Sequence, residues 1–328
     1  MTLKPPIAVT MGDPSGIGPE IAVKVLSSIN TPIRVYGNLK ILEMTAKKLG
    51  IKFSREKIVN TIELTDEQLD EIKYSSPSKL TGEIAYSAIE SAVNDCLKKK
   101  LAALVTGPIS KVALNLAGYK WPGHTELLAF LSNKEAPPKI RMILLSEKFL
   151  IALNSIHLSL KDAISQVNVS NVLDTINIVN EWAVKNKINI ENFWVAGLNP
   201  HSGESGLLGS EEKSVLEPAI KLARSNNIPV SGPWPADTLF MKMKASTNCF
   251  PPKDVIISLY HDQGLIPFKL DGLNNGVNLT AGLPFLRTSV DHGTAFDIAG
   301  KGIASATPLK NAILITNKLI NSASTYDE

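Results

Sequence analysis

The chain has 328 residues, 44% of them hydrophobic, and its 34 Lys and Arg against 31 Asp and Glu leave a formal net charge of only +3. So small and scattered a charge excludes the basic footprint of a nucleic-acid-binding protein, and no apolar run approaches the ~20 residues needed to span a bilayer. Residues 1–11 lack the apolar stretch of a signal peptide and two cysteines, Cys96 and Cys249, cannot form a disulfide framework, so a cytoplasmic location is expected.

Short apolar runs alternate with amphipathic stretches along the chain. Residues 7–11 read as a strand, and 19–26 as a helix with Pro19 at its first position. Residues 33–36 form a second strand, followed by a helix over 39–49 that Gly50 stops. Between 83 and 99 the apolar residues fall at helical spacing. Cys96 lies on that apolar stripe, and Lys98 to Lys100 close the helix where cations suit its negative end. Residues 102–106 are a buried strand ending in Gly107-Pro108.

Strands are predicted at 142–145, 149–154, 193–198 and 255–260, and helices at 171–185, 211–226 and 309–323. Ser210 is the expected N-cap of the helix at 211. Pro- and Gly-rich breaks at 121–123, 229–235 and 250–252 read as crossings or surface loops. Alternation of this kind implies a largely parallel α/β sheet covered on both faces. The length suggests two lobes.

Five histidines occur, and His157, His201 and His261 each fall just beyond the carboxyl end of a predicted strand. In open α/β sheets that edge binds ligands. Any one of them alone reads as an ordinary loop residue. Three at equivalent positions, with no cysteine thiolate nearby, suit a borderline divalent ion such as Zn²⁺ or Co²⁺ with an open coordination position. Around His201, Gly203, Gly206 and Gly209 allow close backbone approach. The GDPSGIGPE stretch at 12–20 is a tight strand-to-helix turn without a nucleotide fingerprint.

His124 and Thr125 stand at a helix start, a contact for an anion or substrate or a capping Thr beside a structural His. Lys269, Asn278 and Arg287 lie in a turn-rich stretch just after His261. Two cations and an amide there suit a phosphorylated or carboxylated substrate.

These residues sit inside longer motifs. IAVTMGDPSGIGPE, ALVTGPISK, GHTE, GLNPHSGESGLLGSEE, PADTLF, YHDQGLIPFK and GVNLTAGLPFLRTSVDHGTAFDIAGKG, spread in order over residues 7–302, together resemble the 4-hydroxythreonine-4-phosphate dehydrogenase family of pyridoxal phosphate biosynthesis. The resemblance implies two α/β/α lobes around a cleft, isocitrate/isopropylmalate dehydrogenase-like and not Rossmann. One lobe is expected from residues 1–125 plus 283–328 and the other from 126–282. It further implies a homodimer whose active site is completed at the interface, with a phosphorylated small molecule as substrate. Metal binding carries over onto His157, His201 and His261, one of them from the partner subunit, with Zn, Mg, Co or Mn as the ion. Substrate contacts carry over onto His124, Thr125, Lys269, Asn278 and Arg287.

Residues 292–302 look like a nucleotide loop, making His292, Thr294 and Asp297 the expected contacts for NAD or NADP. The implied reaction oxidises a secondary alcohol to a β-keto acid that loses CO₂. Lys269 is a candidate proton donor or acceptor; Asp237 either takes a proton or orients a ligand, or simply caps a helix. Relatives that oxidise 4-phosphorylated threonate or erythronate, or aromatic cis-dihydrodiols, share these motifs. A non-catalytic metal-dependent binding module is the alternative from another class.

Overall fold

The computed structural model describes residues 5–246, 249–271 and 276–322. By contact the chain divides into two compact units, one of residues up to Pro138 with Leu283–Ile320 and the other of Lys139–Gly282. Residues 126–138 thus lie in the first unit, beyond the boundary at 125 read from the sequence. The extreme ends of the expected first lobe, 1–4 and 323–328, lie outside the described residues, as does Ala323 of the predicted last helix.

The first unit opens with β1 (Ile7–Thr10), α1 (Gly18–Ser28), β2 (Ile33–Gly37), α2 (Leu39–Leu49), β3 (Ile58–Asn60), α3 (Asp66–Glu71), α4 (Lys79–Leu97), β4 (Ala103–Thr106), α5 (Lys111–Leu116) and α6 (His124–Ser132). Local chemistry sets the helix ends. The Asn38 side chain accepts from the Ile41 N–H to start α2, and Gly50, at φ +67°, ends it in the left-handed conformation that glycine adopts without strain. Thr65 and Ser78 form capping boxes with Gln68 and Thr81 at the heads of α3 and α4. Cys96 is buried on α4, and burial pushes its thiol up to about 12, so it is core rather than reactive.

The second unit contains β5 (Arg141–Leu145), β6 (Leu150–Leu153), α7 (Leu160–Ser165), α8 (Val169–Lys185), β7 (Asn192–Ala196), α9 (Glu217–Ser225), β8 (Val230–Trp234), α10 (Ala236–Ser246), β9 (Asp254–Ser258), α11 (His261–Leu270) and β10 (Val277–Ala281). The chain then returns to the first unit for β11 (Arg287–Ser289) and α12 (Thr307–Ser322).

In the first unit the strand order is β3-β2-β1-β4-β11, and every pairing is parallel. β1, β4 and β11 are buried at every residue, as expected of strands covered on both faces. In the second unit the order is β10-β5-β6-β9-β7-β8. β5 pairs antiparallel with β10 and β6, whereas β6, β9, β7 and β8 run parallel. Residues 229–235, read as a loop, hold β8. It occupies the outer position next to β7, where Pro233 removes no ladder bond that a central strand would need. The turn-rich reading of 269–287 is likewise corrected, because it contains β10 and the start of β11.

The helix predicted from 211 is present with a π turn over Glu212–Leu216 ahead of α9. Ser210 does not cap it with its side chain; its carbonyl instead accepts from the Ser214 N–H and hydroxyl. Beneath β6, β7 and β9 lies a core of Leu144, Phe149, Ile151, Leu153, Ala196, Leu239, Met243, Ile256, Leu265 and Phe268. Among the described residues no helix is long and apolar enough to cross a membrane.

Candidate active site

In the second unit β6, β9 and β7 are adjacent and parallel, so the chain leaves all three by the same edge. The loops beyond Leu153, Ser258 and Ala196 carry His157, His261 and His201. Hydrogen bonds lace these loops together. Asn154 N donates to the Ser258 carbonyl at 2.8 Å and the Ser155 hydroxyl to the Leu259 carbonyl at 3.0 Å. The buried Gln263 amide accepts from Leu259 N at 2.7 Å and donates to the Gly197 carbonyl at 2.8 Å. Gln263 therefore ties the loop after β9 to the loop after β7.

The His157 and His261 rings stand 6.0 Å apart, centroid to centroid. They line a cavity of about 250 Å³ with Leu158, Leu160, Ala163, Tyr260 and Asp262. Two imidazoles facing one cavity are donors of the kind a borderline divalent ion takes, so this pair would hold such an ion. His261 Nδ1 lies 2.7 Å from an Asp262 carboxylate oxygen. A carboxylate on one ring nitrogen fixes the ring and directs the other, Nε2, to a metal.

His201 is carried differently. His201, Ser202, Gly203, Glu204 and Ser205 all have positive φ, from 43° to 77°, with ψ between 2° and 54°. They form a left-handed turn with His201 exposed. Each non-glycine residue held in that conformation costs roughly 1–2 kcal/mol, so the surroundings must enforce it. Among the described residues no group of three or more His, Cys, Asp or Glu side chains could hold a metal. The chain presents a pair of histidines and a separate third.

Asp237 is exposed in the first turn of α10, where its carboxylate accepts from the Thr238 N–H at 2.9 Å. Lys269 is exposed in the last turn of α11, and Asn278 lies on β10 opposite Leu144.

In the first unit α6 begins at His124, with Gly123 rather than Thr125 at the cap position. The His124 Nε2 is buried with no hydrogen-bond partner among the described residues. Burial, and then the Arg287 guanidinium nearby, push its pKa down to about 3, so the imidazole is neutral at physiological pH. Arg287 is 4% exposed and donates from Nη2 to the Thr106 hydroxyl at 2.7 Å. Burial pulls its pKa down to about 10, partly offset by Glu126; it stays cationic at neutral pH. Thr106 and Glu126 gave no signal in the sequence beyond their closeness to Gly107 and His124.

A test follows from His124. Its folded pKa is depressed, so the folded chain resists a proton that the unfolded chain takes up near 6.5. The stability it contributes is present above pH 6.5 and declines as pH falls toward 3. The urea midpoint of the wild type should fall over that window, and that of His124→Asn should fall less; parallel declines would contradict the assignment.

The residues expected to contact a nucleotide lie on a loop gripped by the 12–20 turn. Ile17 N donates to the Thr294 carbonyl at 3.0 Å, and a Cβ on Gly16 would lie 2.7 Å from that oxygen, so glycine is required there. Ser75 donates through its hydroxyl to the Phe296 carbonyl. The buried Glu20 carboxylate accepts from Ala304 N at 2.7 Å and Gly302 N at 3.2 Å. Thr294 is buried, Asp297 exposed. His292 bonds the Gly293 carbonyl through Nδ1, while its buried Nε2 has no hydrogen-bond partner among the described residues. A nucleotide's polar groups fit that orphaned atom.

The profile of the family described as pyridoxal phosphate biosynthetic protein PdxA matches residues 28–316. A 4-hydroxythreonine-4-phosphate dehydrogenase of Beijerinckia indica is 40% identical over 329 residues, covering 96% of this chain and 95% of its own. A D-threonate 4-phosphate dehydrogenase of Salmonella typhimurium is 38% identical, covering 95% and 98%. The crystal structure of 4-hydroxythreonine-4-phosphate dehydrogenase from Klebsiella pneumoniae superposes with a TM-score of 0.85 at 34% identity, covering 96% of this chain and 99% of its own.

Proposed function

The chain belongs to the PdxA family of pyridoxal phosphate biosynthetic proteins, and from that premise we propose that it is a metal-dependent, NAD(P)-linked 4-hydroxythreonine-4-phosphate dehydrogenase. Its substrate is then 4-phosphohydroxy-L-threonine, oxidised to a β-keto acid that decarboxylates to 3-amino-2-oxopropyl phosphate. The observation that carries this reading is the pair of facing imidazoles at a strand edge of the second unit, a donor set that suits a divalent cation; the first unit by itself holds a buried arginine near a neutral histidine, which suits an anion.

When bound, the nicotinamide supplies the hydride acceptor and the divalent cation supplies positive charge for the reacting oxygen. The chain's own residues do the rest. His157 and His261 hold the cation, and His201 supplies the third imidazole from a second copy. Exposed apolar side chains are numerous in the second unit, among them Leu160, Ile164, Leu207, Leu208, Ile266 and Leu270. Apolar surface of that kind favours burial against a partner, which supports a homodimer. Arg287 and Lys269 bind the phosphate and carboxylate, and orientation of the reacting carbon is worth several kcal/mol. His124, Thr125 and Asn278 add neutral hydrogen bonds. Lys269 and Asp237 move the protons: one leaves the hydroxyl on oxidation, and one returns to carbon after CO₂ departs. His292, Thr294 and Asp297 form the nucleotide contacts.

A 4-phosphorylated sugar acid is the second reading, favoured by the 38% identity to the D-threonate 4-phosphate dehydrogenase. Purified protein with a divalent metal and NAD⁺ or NADP⁺ should reduce the nucleotide fastest with 4-phosphohydroxy-L-threonine. Faster turnover of 4-phospho-D-threonate or the erythronate would transfer the assignment, and silence on all three would remove it.

A further inference from the structure

The left-handed turn bearing His201 needs something to hold it, and the buried carboxylate of Glu212 is placed to do so. Glu212 is 3% exposed and sits in the π turn ahead of α9, an irregularity that recurs at functional positions. One of its oxygens accepts from both Leu198 N at 2.9 Å and Asn199 N at 2.7 Å. The other accepts from the Asn199 side-chain amide at 2.9 Å. That amide also donates to Glu211 at 2.8 Å. Two successive backbone N–H groups and one amide thus converge on a single carboxylate at the junction where β7 gives way to the turn.

The turn also packs onto this carboxylate directly. A Cβ on Gly203, where φ is +77°, would lie 2.7 Å from the second Glu212 oxygen. Gly209 closes against the same asparagine, with a virtual Cβ 2.3 Å from its amide nitrogen. Glycine at both positions is what lets the loop wrap the carboxylate.

We propose that Glu212 is a positioning residue for the metal site: it latches residues 198–199, enforces the left-handed turn, and so fixes where His201 is presented. It touches neither substrate nor metal and acts only through His201. This inference rests on the metal reading above. A charged acceptor suits the task because three donors point at it. Glutamine would set its own N–H₂ against one of those donors and leave that donor unsatisfied.

The test uses the full-length protein, stripped of metal, titrated with Zn²⁺ by calorimetry, and followed without metal by amide hydrogen exchange. Glu212→Gln should weaken Zn²⁺ binding about 10–100-fold, the range for losing a group that orients a ligand, and should speed exchange at Leu198 and Asn199 at least tenfold. Gly203→Ala, which presses on the same carboxylate from the turn, should weaken Zn²⁺ binding too and keeps the test alive if Glu212→Gln folds poorly. In a His201→Ala background, Glu212→Gln should change Zn²⁺ affinity no further. Unchanged Zn²⁺ affinity in Glu212→Gln, or an additive loss in the double variant, overturns the proposal. If the wild type binds no Zn²⁺, the metal reading fails by itself. Faster exchange at 198–199 in Glu212→Gln then still supports the latch, and unchanged exchange overturns it.

Discussion

Replacing His261 with alanine is expected to strip the divalent cation from the protein and to lower kcat/KM by at least about 100-fold. Losing a residue that merely orients a ligand costs roughly 10–100-fold in metal affinity or activity, so losing the ligand itself costs no less. His261 is the best placed of the three histidines for this role. It begins α11, its ring faces His157 across 6.0 Å, and Asp262 occupies its Nδ1. Asp262→Ala should give the smaller loss, because it frees the ring to rotate without removing the nitrogen. Metal content after chelation and dialysis, read beside turnover, checks both. A His261→Ala protein that retained stoichiometric metal and full activity would remove this residue from the site. His157→Ala should resemble His261→Ala, since the two rings form one pair.

Much of this was legible in the sequence, for identifiable reasons. Strand–helix alternation is written in apolar periodicity, and three histidines just beyond three strands pointed to one edge. That edge exists because β6, β9 and β7 lie side by side and run parallel, a fact of pairing that local sequence does not encode. The backbone that carries His201 was not legible. It is a run of left-handed residues that includes His201, Ser202, Glu204 and Ser205, none of which favours that conformation on its own. The buried Glu212 carboxylate packs against that turn, yet in the sequence Glu212 looks like an ordinary first-turn acid. β8, β10 and β11 were missed because Pro233, Gly282 and Pro284 punctuate short strands whose order is set by long-range pairing. Gln263 gave no signal either: a glutamine beside a histidine looks like surface until both ends of its amide are seen to be engaged.

The sharpest separation of function from stability lies at Arg287. Its guanidinium is almost wholly removed from water, which ordinarily costs several kcal/mol unless geometry compensates. The Thr106 hydroxyl accepts from it at 2.7 Å, and Glu126 acts through its charge. His124 beside it is neutral and cannot offset the charge. On the proposed function, the phosphate or carboxylate of the substrate is the anion that this buried cation binds. Arg287→Met keeps most of the volume and removes the charge. It should therefore leave the thermal midpoint unchanged or raised, while KM for the phosphorylated substrate rises by about 100-fold or more, since truncating one partner of a buried, hydrogen-bonded charge pair costs roughly 2–5 kcal/mol. Arg287→Lys should fall between, because a lysine supplies the charge without the planar fork. Binding through the arginine should persist until pH nears 10, where burial lets the guanidinium lose its proton. Steady-state kinetics and thermal melts on the three proteins decide it. An unchanged KM in Arg287→Met would mean that the anion binds elsewhere, and a large fall in its melting temperature would mean that the guanidinium serves the fold.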